Sequence, residues 1–171
     1  FCYRLANLVQ LTEPGHILAL AHGRKYDCGD TGWIDVVSRR SYDNGKTWDD
    51  MTLVYSGSDA QNNVTIGTPS AVADLETGTV FLFTCREFVD VLLMSSDDGG
   101  REWSEPQDLT SQLVDPTWQS VYTGLPQGLQ LSNGRLIICA NHMYDDLSTK
   151  SHTIFSDDHG KSWTVGKSVV P

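Results

Sequence analysis

The stretch RRSYDNGKTW, residues 39–48, reads as a hairpin turn with Asn-Gly at its tip. A turn of that kind asks for residues tolerant of positive φ, but it does not ask for the tryptophan that follows. Nearly the same wording returns as SSDDGGREW at 95–103 and FSDDHGKSW at 155–163. Superposed, the three give Ser-x-Asp-x-Gly-x-x-Trp: Ser41, Asp43, Gly45, Trp48; Ser96, Asp98, Gly100, Trp103; Ser156, Asp158, Gly160, Trp163. Their serines fall 55 and 60 residues apart, a period at or slightly above that of propeller blades and similar arrays. Within each turn the Asp can accept hydrogen bonds from backbone N–H groups, the Gly supplies positive φ, and the Trp folds apolar surface over the hairpin. A feature repeated on every unit is structural, because an active site is made once.

Working outward, each turn is preceded by apolar runs broken at a short turn: LVQLTEPGHILALA, AVADLETGTVFLFT and LQLSNGRLIICA. These predict β-hairpins. A third strand (IDVVSRRS, VLLMSS, HTIFS) leads into the repeated turn and an outer strand follows it. Four strands per unit is the content of one propeller blade, and helical periodicity is almost absent, so the expected class is all-β. Three blades do not close a ring. The expectation is one partial propeller domain over residues 1–171, with further blades following Pro171.

The 171 residues are in the range of a single domain, and 39% hydrophobic content is enough for a core. A net charge of −10 without a Lys/Arg cluster argues against nucleic acid and anionic lipid surfaces, while leaving room for a few arginines converging on a small anion. No run is long and apolar enough to span a membrane, and FCYRLANLVQ lacks the pattern of a signal peptide. Cys2, Cys28, Cys85 and Cys139 contain no C-x-x-C pair. They are expected to be mostly buried thiols, with no zinc site and no supported disulfide framework. Asn63 opens an Asn-Val-Thr glycosylation triplet, a weak pointer to a lysosomal or secretory route beside cytoplasmic or bacterial alternatives.

The sequence resembles the exo-α-sialidase (neuraminidase) family, six-bladed propellers whose repeated turn is called the Asp box. The resemblance runs from about Tyr3 to Trp163 and rests on the three boxes together with YRLANLVQL, ALAHGRKYDCGDTGWIDVVSRRS, WSEPQDLT, TGLPQGLQL and GRLIICANH. It implies a glycoside hydrolase that releases terminal sialic acid from glycoproteins, glycolipids (gangliosides among them) or oligosaccharides with retention, needing no cofactor or metal.

Fixed guanidinium groups suit the planar carboxylate of sialic acid. By resemblance Arg4 matches the first of three carboxylate-binding arginines and Arg24 a further one. The acid/base Asp lies on the following loop, where Asp27 and Asp30 compete; six residues on from Arg24, and within the Gly-rich CGDTG, Asp30 is favoured. Its pKa would have to rise through burial or substrate closure for it to act as an acid. Sialidases use Tyr where other glycosidases use a carboxylate nucleophile. That Tyr, the Glu beside it and two more arginines belong to later blades in the family, and none of Tyr3, Tyr26, Tyr42, Tyr55, Tyr122 or Tyr144 sits in a matching context. The chain alone is therefore not expected to turn over substrate.

Departures from the family pattern are Arg4-Leu5-Ala6 in place of Arg-Ile-Pro, Thr68 where Asn or Asp is usual before Pro69, and GLPQG in a Gly-rich stretch. Thr68 and Gln127 are carried as candidate substrate contacts. His142 and His152, with Asp145 and Asp146 between, read as polar loop content rather than metal ligands. The alternatives to an enzyme are a glycan-binding propeller lacking turnover and a scaffold propeller.

Overall fold

A computed structural model describes residues 2–124 and 126–168; Leu125 of the TGLPQG stretch and Pro171 lie outside them. The described chain forms three antiparallel sheets, each a meander. The first contains β1 (Cys2–Gln10), β2 (Ile17–Arg24), β3 (Ile34–Ser41) and β4 (Thr52–Tyr55); the second contains β5 (Ile66–Ala73), β6 (Val80–Arg86), β7 (Asp90–Ser96) and β8 (Gln107–Asp108). A single helical turn, α1 (Thr110–Leu113), precedes the third sheet. There β9 (Ser120–Tyr122) and β10 (Leu129–Gln130) both pair with β11 (Leu136–Met143), followed by β12 (Thr149–Ser156) and β13 (Thr164–Val165). The predicted hairpins, third strands and four-strand units are all present, with the innermost strand of the third blade split in two.

Packing between blades explains the residue patterns. Ala71, Ala73, Val80, Leu82 and Met94 of the second blade pack with Val9, Leu18, Leu20 and Val36 of the first. Val72, Phe81, Phe83, Val91 and Leu93 pack with Leu136, Ile138, Ile154 and Trp163 of the third. With both faces covered, β5 is buried throughout, its polar Thr68 and Ser70 included, whereas β1 alternates over its second half. The outermost strands β4, β8 and β13 are short, which limits exposed hydrogen-bonding edge.

The Asp boxes fasten this stack. Ser41 Oγ donates to Asp43 Oδ1 (2.9 Å) and accepts from the Gly45 N–H (2.8 Å), while Asp43 Oδ1 accepts from the N–H groups of Lys46 and Thr47. The same serine bonds recur at Ser96 and Ser156. In every box two successive residues are left-handed, Asn44-Gly45, Gly99-Gly100 and His159-Gly160. The glycines also admit the neighbour: a Cβ on Gly100 would lie 2.9 Å from Leu18 of the first blade, and one on Gly160 would lie 2.1 Å from Phe81 of the second. Trp163 meets Phe83 edge-on at 4.7 Å, so the box tryptophan packs on the adjacent blade as well as on its own hairpin. Arg40 Nη1 donates to the Gly100 carbonyl at 2.6 Å, a further cross-blade link.

Two sequence expectations are corrected. Cys2 and Cys28 form a disulfide, leaving Cys85 as a buried thiol and Cys139 as an exposed one. The pairing depends on β1 lying beside β2, with Cys2 opposite Arg24, and no local spacing announces it. His142 and His152 lie on β11 and β12 rather than in loops, and both are buried. Their Nδ1 atoms are 3.0 Å apart, His142 Nε2 lies 3.2 Å from the Tyr144 hydroxyl, and Trp118 stacks on His142 at 3.8 Å. Each ring supplies a partner for the other's Nδ1 and the indole covers them, while His152 Nε2 is buried without a hydrogen-bond partner among the described residues.

Candidate active site

The inner strands share an irregularity at one end. β1 breaks register between Arg4 and Asn7, with Leu5 at φ 55°; β5 breaks between Gly67 and Ser70, with Thr68 at φ 45°; the third blade breaks after Thr123, with Gly124 at φ 80°. A β-bulge re-aims the side chains beside it. In the first blade that side chain is Arg4.

Arg24 ends β2 in the inward-facing series Leu18, Leu20, His22, Arg24, and only 2% of its side chain is exposed. Its Nη1 donates to the carbonyls of Cys28 and Gly29, both at 2.7 Å, and lies 2.8 Å from Asp30 Oδ1. Arg4 Nη1 reaches the same Asp30 oxygen at 3.4 Å and the same Cys28 carbonyl at 3.2 Å. Arg4, Arg24 and Asp30 therefore meet at one point. The hydrogen bond from Arg24, followed by its charge, holds the Asp30 carboxyl below the ordinary carboxylate range. Asp30 is 74% exposed, so a ligand can reach it. Asp27, the competing carboxylate, instead accepts from the Gly29 N–H at 2.6 Å and shapes its own turn.

The loop is closed at its neck by the Lys25 N–H donating to the Trp33 carbonyl, and Gly32 N–H donates to Thr65 Oγ1 (3.0 Å) of the second blade. Lys25 Nζ stands 3.2 Å over the Trp33 ring, whose Nε1 donates to the Asp35 carboxylate. Asn63 is exposed and lines a cleft shared with Tyr26 and Asp27.

His22, Cys2 and Cys28 were not assigned to the site from sequence. His22 is buried beneath Arg24, its Nδ1 3.5 Å from Arg24 Nη2. Burial, then the Arg24 charge, lowers its pKa to about 4. The period-two pattern of β2 carried a signal for His22, since it shares a face with Leu18 and Leu20. For the cysteines the only signal was position: each stands two residues before a charged site residue, Arg4 or Asp30.

Thr68 sits at the second inner-strand break, and Gln127 lies towards the far end of β1. The buried Thr68 accepts from the Thr123 N–H through Oγ1 (3.3 Å) and from Thr123 Oγ1 through its carbonyl (2.6 Å). Gln127 is exposed and lines a cavity with Leu8, Val9 and Gln10. At about 3.3 Å per residue, even Leu8 is roughly 13 Å along β1 from Arg4.

Stacked four-stranded blades fastened by Asp boxes, with two guanidiniums gripping a single carboxylate at the inner-strand breaks, define a propeller of the sialidase type, of which this chain supplies three blades. The chain belongs to the BNR repeat-like domain family, which it matches over residues 15–169. It is 30% identical to a sialidase of Micromonospora viridifaciens, over 98% of this chain and 29% of that protein, and 28% identical to sialidase-3 of Mus musculus, over 99% of this chain and 47% of that protein. Among solved structures, the Hadza microbial sialidase Hz136 superposes with a TM-score of 0.87 at 28% identity, covering 98% of this chain and 38% of that one. The chain thus spans less than half the length of these relatives.

Proposed function

We propose that this chain supplies the N-terminal blades of an exo-α-sialidase catalytic domain that cleaves terminal sialic acid from glycoproteins, glycolipids or oligosaccharides. The observation that carries the reading is the convergence of Arg4 Nη1 and Arg24 Nη1 on one carboxylate oxygen, 3.4 and 2.8 Å away. That oxygen belongs to Asp30; when sialic acid binds, its carboxylate takes the guanidiniums. Asp30, released from its partners and now beside a second anion, gains proton affinity on both counts. Substrate binding thereby converts a depressed carboxylate into a group able to protonate the leaving oxygen. The nucleophile, its base and the remaining carboxylate-binding arginines are supplied by blades outside this chain. Thr68 presents a buried strand break to the sugar, and Gln127, at the other end of the inner strands, is left out of the contact set.

The test uses the full-length protein and a fluorogenic sialoside. Asp30→Asn removes the acid and the competitor for the arginines together. Turnover should fall by about 10²–10⁴-fold, while a sialic acid analogue binds at least as tightly by calorimetry. Undiminished turnover refutes the assigned role of Asp30, and absence of analogue binding by the unmodified protein refutes the sialidase reading altogether.

A further inference from the structure

The Cys2–Cys28 bond joins the two pieces of chain that carry the site, and its partners are placed with respect to the charged groups. Cys2 is two residues before Arg4 and pairs in register with Arg24; Cys28 is two residues before Asp30. The Cys28 carbonyl accepts from both Arg4 and Arg24. Residues 26–31, the loop tip, are exposed. Below the tip, the described ties are the Lys25–Trp33 backbone bond at the neck, the Gly32–Thr65 bonds to the second blade, and the contacts of buried Arg24 on β2 with the Cys28 and Gly29 carbonyls and with Asp30. Across to β1, the described links are the disulfide and the contacts of Arg4 with Cys28 and Asp30. The disulfide is the covalent one of these, in a tip that contains Gly29 and borders Gly32.

We propose that Cys2 and Cys28 are positioning residues whose disulfide holds Asp30 over the arginine pair, and that the competence of the site consequently depends on thiol redox state. This deepens the sialidase reading and rests on it. Cys28 is exposed, whereas the thiol of Cys85 is buried beneath the inner strands. A soluble dithiol therefore has access to the bond that matters. One thiolate of the reductant attacks a sulfur of the bridge, forming a mixed disulfide and expelling the other cysteine as thiolate. The second thiol of the reductant then closes on the first, releasing the remaining cysteine. The products are two protein thiols and one cyclic disulfide of the reductant, with its two hydrogens ending on Cys2 and Cys28. Arg4 and Arg24 stay on their strands in the reduced state, but the loop tip loses its covalent register with β1.

The test compares three states of the full-length protein under conditions where all remain folded by near-ultraviolet circular dichroism: oxidised, reduced with dithiothreitol and alkylated, and the double variant Cys2→Ser/Cys28→Ser. Cys139→Ser, reduced and alkylated in the same way, controls for modification of the exposed free thiol. A displacement of about 1 Å at a catalytic group can lower the rate by about a hundredfold, so kcat on a fluorogenic sialoside should fall by at least about tenfold in the reduced and double-serine proteins. Reoxidation of unalkylated wild type by glutathione disulfide should restore it, and should leave the double-serine protein unchanged. Hydrogen exchange at the Gly29 and Gly32 amides should accelerate more than exchange in β5, β6 and β7.

The proposal is overturned if kcat stays within about twofold with both thiols shown by labelling to be free. It is equally overturned if loop and core amides accelerate by the same factor, the result expected of a bond that only stabilises the fold, or if labelling finds Cys2 and Cys28 unpaired in the native protein. Should the oxidised protein not cleave the sialoside, the sialidase reading falls. The positioning claim is then decided by the exchange comparison alone.

Discussion

Asp30 is held by two arginines, and that makes its protonation depend on what else those arginines hold. In the free site the Arg24 hydrogen bond depresses its pKa, so the proton is bound only at pH values below the ordinary carboxylate range. On the proposed exchange, the same group loses its cations when a sialic acid carboxylate binds. The alkaline limb of kcat, which reports the complex, should therefore sit at higher pH than the alkaline limb of kcat/KM, which reports the free protein. Coincident limbs in steady-state profiles would contradict the exchange of carboxylates. Removing Arg24 has a broader effect. Arg24→Ala leaves the Gly29 carbonyl without its Arg24 donor and the Cys28 carbonyl with Arg4 alone, so it should raise KM for a sialoside and also loosen the loop. Arg4→Ala, at a half-exposed position, should raise KM with a smaller effect on melting temperature. Charge and spacing alone did not single out Arg4; the wording around it did.

At the scale of the element, the Asp box is a turn whose hydrogen bonds are satisfied within a few residues, which is why it was legible. Ser, Asp and Gly have local jobs, and each job names its residue type. The three glycines differ in what surrounds them. All are left-handed, but an added Cβ has 3.7 Å or more of space at Gly45, meets Leu18 at 2.9 Å beside Gly100, and meets the Phe81 ring at 2.1 Å beside Gly160. Replacement by Ala should thus cost about 1 kcal/mol at Gly45 from backbone strain, more at Gly100, and about 2–4 kcal/mol at Gly160 from strain and overpacking together. Chemical denaturation of the three variants should give that order. Ser156→Ala removes an acceptor for the Gly160 N–H and a donor to Asp158, and should destabilise by about 1–2 kcal/mol. The strand breaks were harder to read, because Thr68 is a β-branched residue at positive φ and no local preference predicts it there.

Across the whole molecule, buried histidines couple stability to pH; burial lowers His142 as well as the two largest cases, His22 and His152. Burial, and then a neighbouring ring or guanidinium, lowers both His152 and His22 from 6.5 to about 4. The folded form keeps each neutral while the unfolded chain protonates near 6.5, so the unfolded state binds more protons on acidification. Stability is full above pH 6.5 and declines towards pH 4, by about 2 kcal/mol per histidine at pH 5. Thermal melts from pH 7.5 to 4.5 should show the decline, and His152→Gln should flatten it.

What the sequence disclosed and what it concealed divide along contact distance. Period-two patterning and turn chemistry gave the hairpins, the blades and the boxes. The Cys2–Cys28 bond, the His142–His152 pair and the covering Trp118 depend on which strands lie side by side, and no local feature carries that information. The joint between blades combines both kinds of knowledge. The boxes of the second and third blades each offer an empty place where a side chain would otherwise stand, and the second strand of the preceding unit provides the residue that enters it, Leu18 at Gly100 and Phe81 at Gly160. The second blade thus carries a lock on one flank, at Gly100, and a key on the other, Phe81. Tandem duplication of the coding segment would copy both halves of the joint at once, so an array built this way can lengthen without inventing a new interface.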